Sequence, residues 1–220
     1  MIETTADQVP FGGNISARKG QKYPAEILTA REIEALLAGC STRAPTGIRN
    51  RALLLTLYRC GLRISEALAL KPKDVDVDAA TLQVLHGKND RSRQLAFDSA
   101  ATDAIARWID ARKALGYNGR GTTPLFCTLK GGPLSAVYVR QVLSRLATKA
   151  GIEKAVRCHG LRHTFAAELC REGVPLNQIQ QALGHSNAAT TSRYLDHVAP
   201  EAMLATLRSR EWIPASQESK

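Results

Sequence analysis

His159-Gly160-Leu161-Arg162-His163-Thr164-Phe165-Ala166 has the spacing of a helix with one dry face and one wet face. Leu161, Phe165 and Leu169 recur four apart and make an apolar stripe, which predicts a helix over 159–171. His159 and Arg162 are three apart and share another face, where an imidazole and a guanidinium can hold one phosphate together. His159 and His163 are four apart, a zinc-ligand spacing. The Glu of the H-E-x-x-H pattern is missing and no third ligand is placed nearby, so no metal is expected.

Downstream, Pro175 opens a second helix that runs to Leu183, where Gly184 ends it and presents His185. A third helix over 188–195 carries Tyr194, and a weaker one covers 200–210. A tyrosine so placed is ordinarily a core residue with its hydroxyl bonded to a neighbour, and the alternative is a nucleophile.

Upstream, Thr29-Ala30-Arg31-Glu32 fits a capping box, with Ile33, Leu36 and Leu37 as the buried stripe that follows. Residues 48–60 are apolar nearly all round, as in a central buried helix, and Gly61 ends them. In Cys60-Gly61-Leu62-Arg63-Ile64-Ser65-Glu66, Arg63 occupies the turn, Glu66 can buttress it, and Ser65 is expected to cap a short helix through Leu70, stopped by Pro72. A turn arginine more commonly makes a surface ion pair.

Strands are expected over 81–85 and 91–97, joined by a turn at 86–90 that carries Lys88. A lysine there serves solubility, or reaches a DNA backbone and donates a proton. Helices over 99–115 and 135–150 follow, with a short strand over 124–128 and a Lys130-Gly131-Gly132 turn between them. Residues 1–25 read as a flexible arm, 26–210 as one folded unit and 211–220 as a tail. The fold class is therefore mainly α with a small antiparallel β-sheet (α+β), and no internal repeat is visible.

Composition narrows the partners. The chain has 220 residues, 44% of them apolar, and 30 Lys and Arg against 20 Asp and Glu give a formal net charge of +10, which favours a polyanion. The excess concentrates between Val139 and Phe165, where Arg140, Arg145, Lys149, Lys154, Arg157 and Arg162 face a single acid, Glu153. The five cysteines are scattered without a C-x-x-C pair and read as reduced, mostly buried thiols. With no apolar run long enough to span a bilayer and no secretory pattern, no membrane partner and a cytoplasmic location are expected.

Taken in order, G-L-R-I-S-E, the hairpin lysine, H-G-L-R-H-T-F-A, L-G-H-S and R-Y resemble the tyrosine recombinase (phage integrase) family, including its Xer-type members. The resemblance covers about residues 26 to 200 and implies the family's catalytic-domain fold. It implies that Arg63 and Arg162 are the two catalytic arginines, Lys88 the hairpin lysine, His159 and His185 the two active-site histidines, and Tyr194 the nucleophile. His163 falls on a frequent but non-catalytic position and, with Glu66, takes a supporting role.

The implied activity is site-specific DNA breakage and rejoining through a covalent 3′-phosphotyrosine. Forked, permanently charged guanidinium groups suit the charge that builds on the phosphate, so neither metal nor ATP is needed and no cofactor is expected. The implied partners are double-stranded DNA and further copies of the chain, as a tetrameric assembly on paired sites.

Family members commonly carry an additional N-terminal helical domain that clamps DNA, where this sequence has about 25 residues. Binding through the catalytic part alone is expected to be weaker and strongly salt-sensitive. Residues 200–215 are expected to pack on a neighbouring subunit or back on their own core. Two other readings stand beside this one: a non-catalytic regulator using 175–195 as a helix-turn-helix, and a type IB topoisomerase with the same tyrosine chemistry.

Overall fold

Thr29 caps the first described helix. Its hydroxyl accepts from the Glu32 backbone N–H at 3.3 Å while the Glu32 carboxylate accepts from the Thr29 N–H at 2.7 Å, the reciprocal cap its sequence predicts. The computed structural model describes residues 27–85, 92–117, 123–184 and Arg208. The elements in chain order are α1 (Ala30–Ala38), α2 (Pro45–Arg59), α3 (Ile64–Ala69), a 3₁₀ turn (Pro72–Asp74), β1 (Val75–Asp76), β2 (Thr81–Val84), β3 (Arg93–Ala96), α4 (Ser99–Ala114), α5 (Ala136–Lys149), α6 (Cys158–Arg171) and α7 (Leu176–Leu183).

The hub is α2, whose Ala52, Leu53, Leu54, Leu55 and Leu57 are all buried, as an all-round apolar helix must be. It packs on α4 and α6, meeting Ile105 and Trp108 of α4 and Leu161 of α6 in one core. Each large side chain taken from water there contributes about 1.5–3 kcal/mol. The Trp108 indole N–H donates to the Leu125 carbonyl at 2.8 Å, so the core also fixes the loop before α5. The four cysteines Cys40, Cys60, Cys127 and Cys158 are buried free thiols and Cys170 is half-buried. Burial and the nearby Asp98 push Cys60 up to about 12, which keeps it protonated. No helix among the described residues is long and apolar enough to cross a membrane.

The sheet is antiparallel in the order β1-β2-β3, with Leu82 opposite Leu95 and Val84 opposite Arg93. Two local expectations are corrected. The third strand is β1 rather than 124–128, where only one bridge, Cys127 to Pro133, forms. Arg63, not Ser65, is the N-cap of α3, because Glu66 at the third helical position folds back onto the Arg63 N–H. Arg93 takes an inward position of β3 that alternation assigns to an apolar residue. The arm 1–25, the turn 86–90, and the expected helices 188–195 and 200–210 lie outside the described residues, as does the tail 211–220.

Gly61 links α2 to α3 with φ +57, and a Cβ there would overlap the Phe165 ring. Gly61→Ala is expected to destabilise the protein by about 2–4 kcal/mol through left-handed strain and overpacking, read as a fall in the urea midpoint.

Candidate active site

The turn after α2 brings Arg63 to the start of α3, and the first turn of α6 brings His159 and Arg162 up beside it. Arg63 and Arg162 converge on the Glu66 carboxylate: Arg63 Nη1 lies 2.8 Å from Oε1 and Arg162 Nη1 lies 4.0 Å from Oε2. Glu66 also accepts the Arg63 backbone N–H at 2.8 Å. The buttress expected of Glu66 therefore exists, and it serves more than one arginine.

A further arginine, which the sequence reading did not single out, completes the cluster. Arg93 places both terminal nitrogens on Glu66, Nη2 at 2.9 Å from Oε2 and Nη1 at 3.2 Å from Oε1. Its signal was present: Arg93 shares the strand face of Leu95 and Phe97, and a charge at an inward strand position requires a buried partner. Three guanidinium groups around one carboxylate leave an excess of positive charge.

The same three arginines hold the end of α7. Arg93 Nε donates to the Ala182 carbonyl at 2.8 Å, Arg162 Nη2 to Leu183 at 2.5 Å, and Arg63 Nη2 to Gly184 at 3.3 Å. Consecutive carbonyls that a helix leaves unpaired at its C-terminus are thereby satisfied, and the cations complement the negative end of its dipole. Gly184, at φ 62 and ψ 44, turns the chain there, and the next residue in sequence is His185. Arg162 Nη1 also donates to the Gly61 carbonyl at 2.5 Å, which joins α6 to the α2–α3 turn.

Exposure separates the two expected catalytic arginines. The Arg162 side chain is 4% exposed and the Arg63 side chain 35%, so Arg63 is the more open to an incoming ligand. His159 reaches the surface next to them, its ring edge-on to His163 at 4.3 Å between centroids. Partial loss of water, then the charges of Arg162 and Arg63, hold its pKa below the usual histidine value. For Glu66 burial acts upward, but Arg93, the Arg63 backbone N–H and the Arg63 side chain outweigh it, and the pKa is lowered. Lys88, His185 and Tyr194 lie outside the described residues.

Beside His159 a cavity of about 590 Å³ opens along α5 and the loop before α6, lined by Arg140, Ser144, Thr148 and Arg157 among others. Arg140, Arg145, Lys149 and Arg157 of the basic stretch are exposed. Lys154 is not available in the same way, since it pairs with Glu32 at 2.8 Å and donates to the Ile27 carbonyl at 2.9 Å, tying down the start of α1.

The model of the phage integrase family matches residues 26–201 of this chain. The chain belongs to the phage integrase family. This phage integrase family member is 36% identical over 211 residues to the tyrosine recombinase XerC of Bacillus subtilis (strain 168), covering 95% of this chain and 68% of that relative. Its fold matches the crystal structure of XerA recombinase with a TM-score of 0.73 at 28% identity, over 87% of this chain and 68% of that one. It also matches XerH site-specific recombinase bound to palindromic difH substrate in a post-cleavage complex, with a TM-score of 0.68 at 28% identity, over 83% of this chain and 52% of that one. The integrase family member thus carries a Xer-like tyrosine recombinase catalytic domain, and spans between about half and two thirds of these relatives' lengths.

Proposed function

We propose that this chain is a site-specific DNA recombinase that breaks and rejoins double-stranded DNA through a covalent 3′-phosphotyrosine. The observation that carries the reading is the convergence of Arg63 and Arg162, from helices far apart in sequence, on one carboxylate beside His159. A phosphodiester under attack gathers charge on its non-bridging oxygens, and in this reading two preorganised guanidinium forks stabilise it. Glu66 holds the forks in position.

In this reading Tyr194 attacks phosphorus and forms a bond to it, while the bond to the leaving 5′-oxygen breaks. His159 assists removal of the phenol proton, Lys88 protonates the leaving oxygen, and His185 donates a hydrogen bond to the phosphate. Phosphate-ester energy stays in the adduct, so resealing needs no ATP. His163 supports the ring of His159, which it meets edge-on. The catalytic unit extends over 26–210, with 1–25 as an arm and 211–220 as a tail.

The DNA partner is favoured by the net charge of +10 and by the exposed basic side chains lining the cavity beside His159. Copies of the chain assemble on paired sites as a tetramer; the XerH relative's palindromic substrate suits symmetric binding by identical subunits. The test is incubation with nicked suicide duplexes cut from the DNA flanking the gene. An SDS-resistant protein–DNA adduct is expected, and its absence on every duplex counts against the reading.

His159 gives a pH prediction. It serves as a base only when neutral, and its pKa is lowered, so the neutral form persists to more acid pH than an ordinary histidine of about 6.5 allows. The acid limb of cleavage measured at subsaturating DNA, which reports the free protein, should have its midpoint below that value, and His159→Gln should remove this limb. A midpoint above it takes His159 out of the base role.

A further inference from the structure

Arg93 was absent from the set of residues that the motifs single out, yet its side chain is only 8% exposed and every nitrogen of its guanidinium is used. Two donate to Glu66 on α3 and one to the Ala182 carbonyl at the end of α7. With three of its five N–H donors spent on Glu66 and Ala182 and its side chain 8% exposed, it is far less open to a phosphate than Arg63, at 35%. Its backbone belongs to β3, the strand that follows the Lys88 segment in the chain. One rigid planar group joins three elements that each adjoin, in sequence, a residue of the proposed machinery: Arg63 on α3, Lys88 before β3 and His185 after α7.

The fit around it is close. Gly184 leaves the space that Arg93 occupies, since a Cβ there would lie 2.7 Å from Arg93 Nη1 and 3.0 Å from its Cζ. Lysine cannot replace this contact, because a single ammonium has neither the bidentate fork for Glu66 nor the side nitrogen for Ala182. The charge balance matters as well. Arg93 shares the Glu66 carboxylate with Arg63, whose side chain stays 35% exposed.

We infer that Arg93 is a positioning residue for strand cleavage, clasping Glu66 to the end of α7 so that Arg63 and Arg162 are held in register for the phosphate. The inference rests on the recombinase reading. Among the described residues, the charged groups facing Glu66 are Arg63 from its own helix, Arg93 from β3 and Arg162 from α6; guanidinium groups keep their charge at any working pH, so Glu66 is the titrating partner. Without Arg93 its carboxyl loses the strongest of the contacts that keep it ionised.

The test uses the full chain and the same nicked duplexes, with Arg93→Met, Arg93→Lys and the pair Arg93→Met with Glu66→Gln. Arg93→Met should bind DNA within a few fold of wild type but cleave about 100-fold more slowly, the scale of a small misplacement of reacting groups. Its acid limb should move to higher pH, as Glu66 takes up a proton and releases Arg63. Arg93→Lys should recover only part of the rate. In the Glu66→Gln background, Arg93→Met should cost much less than it does alone.

Cleavage by Arg93→Met within about threefold of wild type overturns the inference, as does a uniform loss at all pH values that follows the fall in melting temperature. If Arg93→Met does not fold, Arg93→Lys decides by the same two criteria. A wild type that forms no adduct overturns the recombinase reading, and this inference with it. A normal wild-type adduct with an unaffected Arg93→Met overturns this inference alone.

Discussion

Tyr194→Phe protein incubated with a nicked suicide duplex should form no SDS-resistant adduct, while retaining DNA affinity within a few fold of wild type. The substitution deletes one oxygen. That oxygen is the proposed nucleophile, and no other group in the proposed site replaces its bond to phosphorus. The cations that grip phosphate are untouched, so binding and its salt dependence survive. A gel-shift titration beside the adduct assay separates the two quantities. Adduct formation by the Phe protein would remove Tyr194 from the mechanism, and a second tyrosine would have to be sought.

Arg162→Ala should lower single-turnover cleavage by about a thousandfold or more, the scale of removing a preorganised donor to a developing anion. It should also destabilise the fold, because the Gly61 and Leu183 carbonyls lose a charged donor in a buried setting. Each such loss costs about 1–3 kcal/mol. Arg63→Ala provides the contrast. Its side chain is 35% exposed against 4% for Arg162, so it should show a comparable loss of cleavage with a much smaller fall in the urea midpoint. Equal destabilisation by both substitutions, with cleavage left at the wild-type rate, would mean that the cluster serves only to hold α7.

The expectations that held were local ones. The Thr29 cap, the Gly61 break, the all-round apolar α2, the helices α4 and α5, and the end of α7 at Gly184 all depend on residues within a turn or two of one another, where spacing and backbone preference suffice. The errors were also local, and each had a non-local cause. Ser65 is a better intrinsic cap than Arg63, but Glu66 is drawn inward by Arg93 and closes on the Arg63 N–H instead. The stretch 124–128 has strand-like composition but no edge to pair with, and its backbone is spent on other bonds, Leu125 N–H to the Leu70 carbonyl among them.

What the sequence determined by itself was the family-bearing order of motifs and the placement of His159 and Arg162 on one helical face, since a helix period is a property of neighbours. Only the tertiary structure decided that Arg93 joins them and that Glu66 serves three arginines rather than one. It also decided that the last carbonyls of α7 are their common anchor. Buried charges are tolerated where partners converge from separate elements, and that convergence is set by how the core packs, which spacing along a chain does not encode.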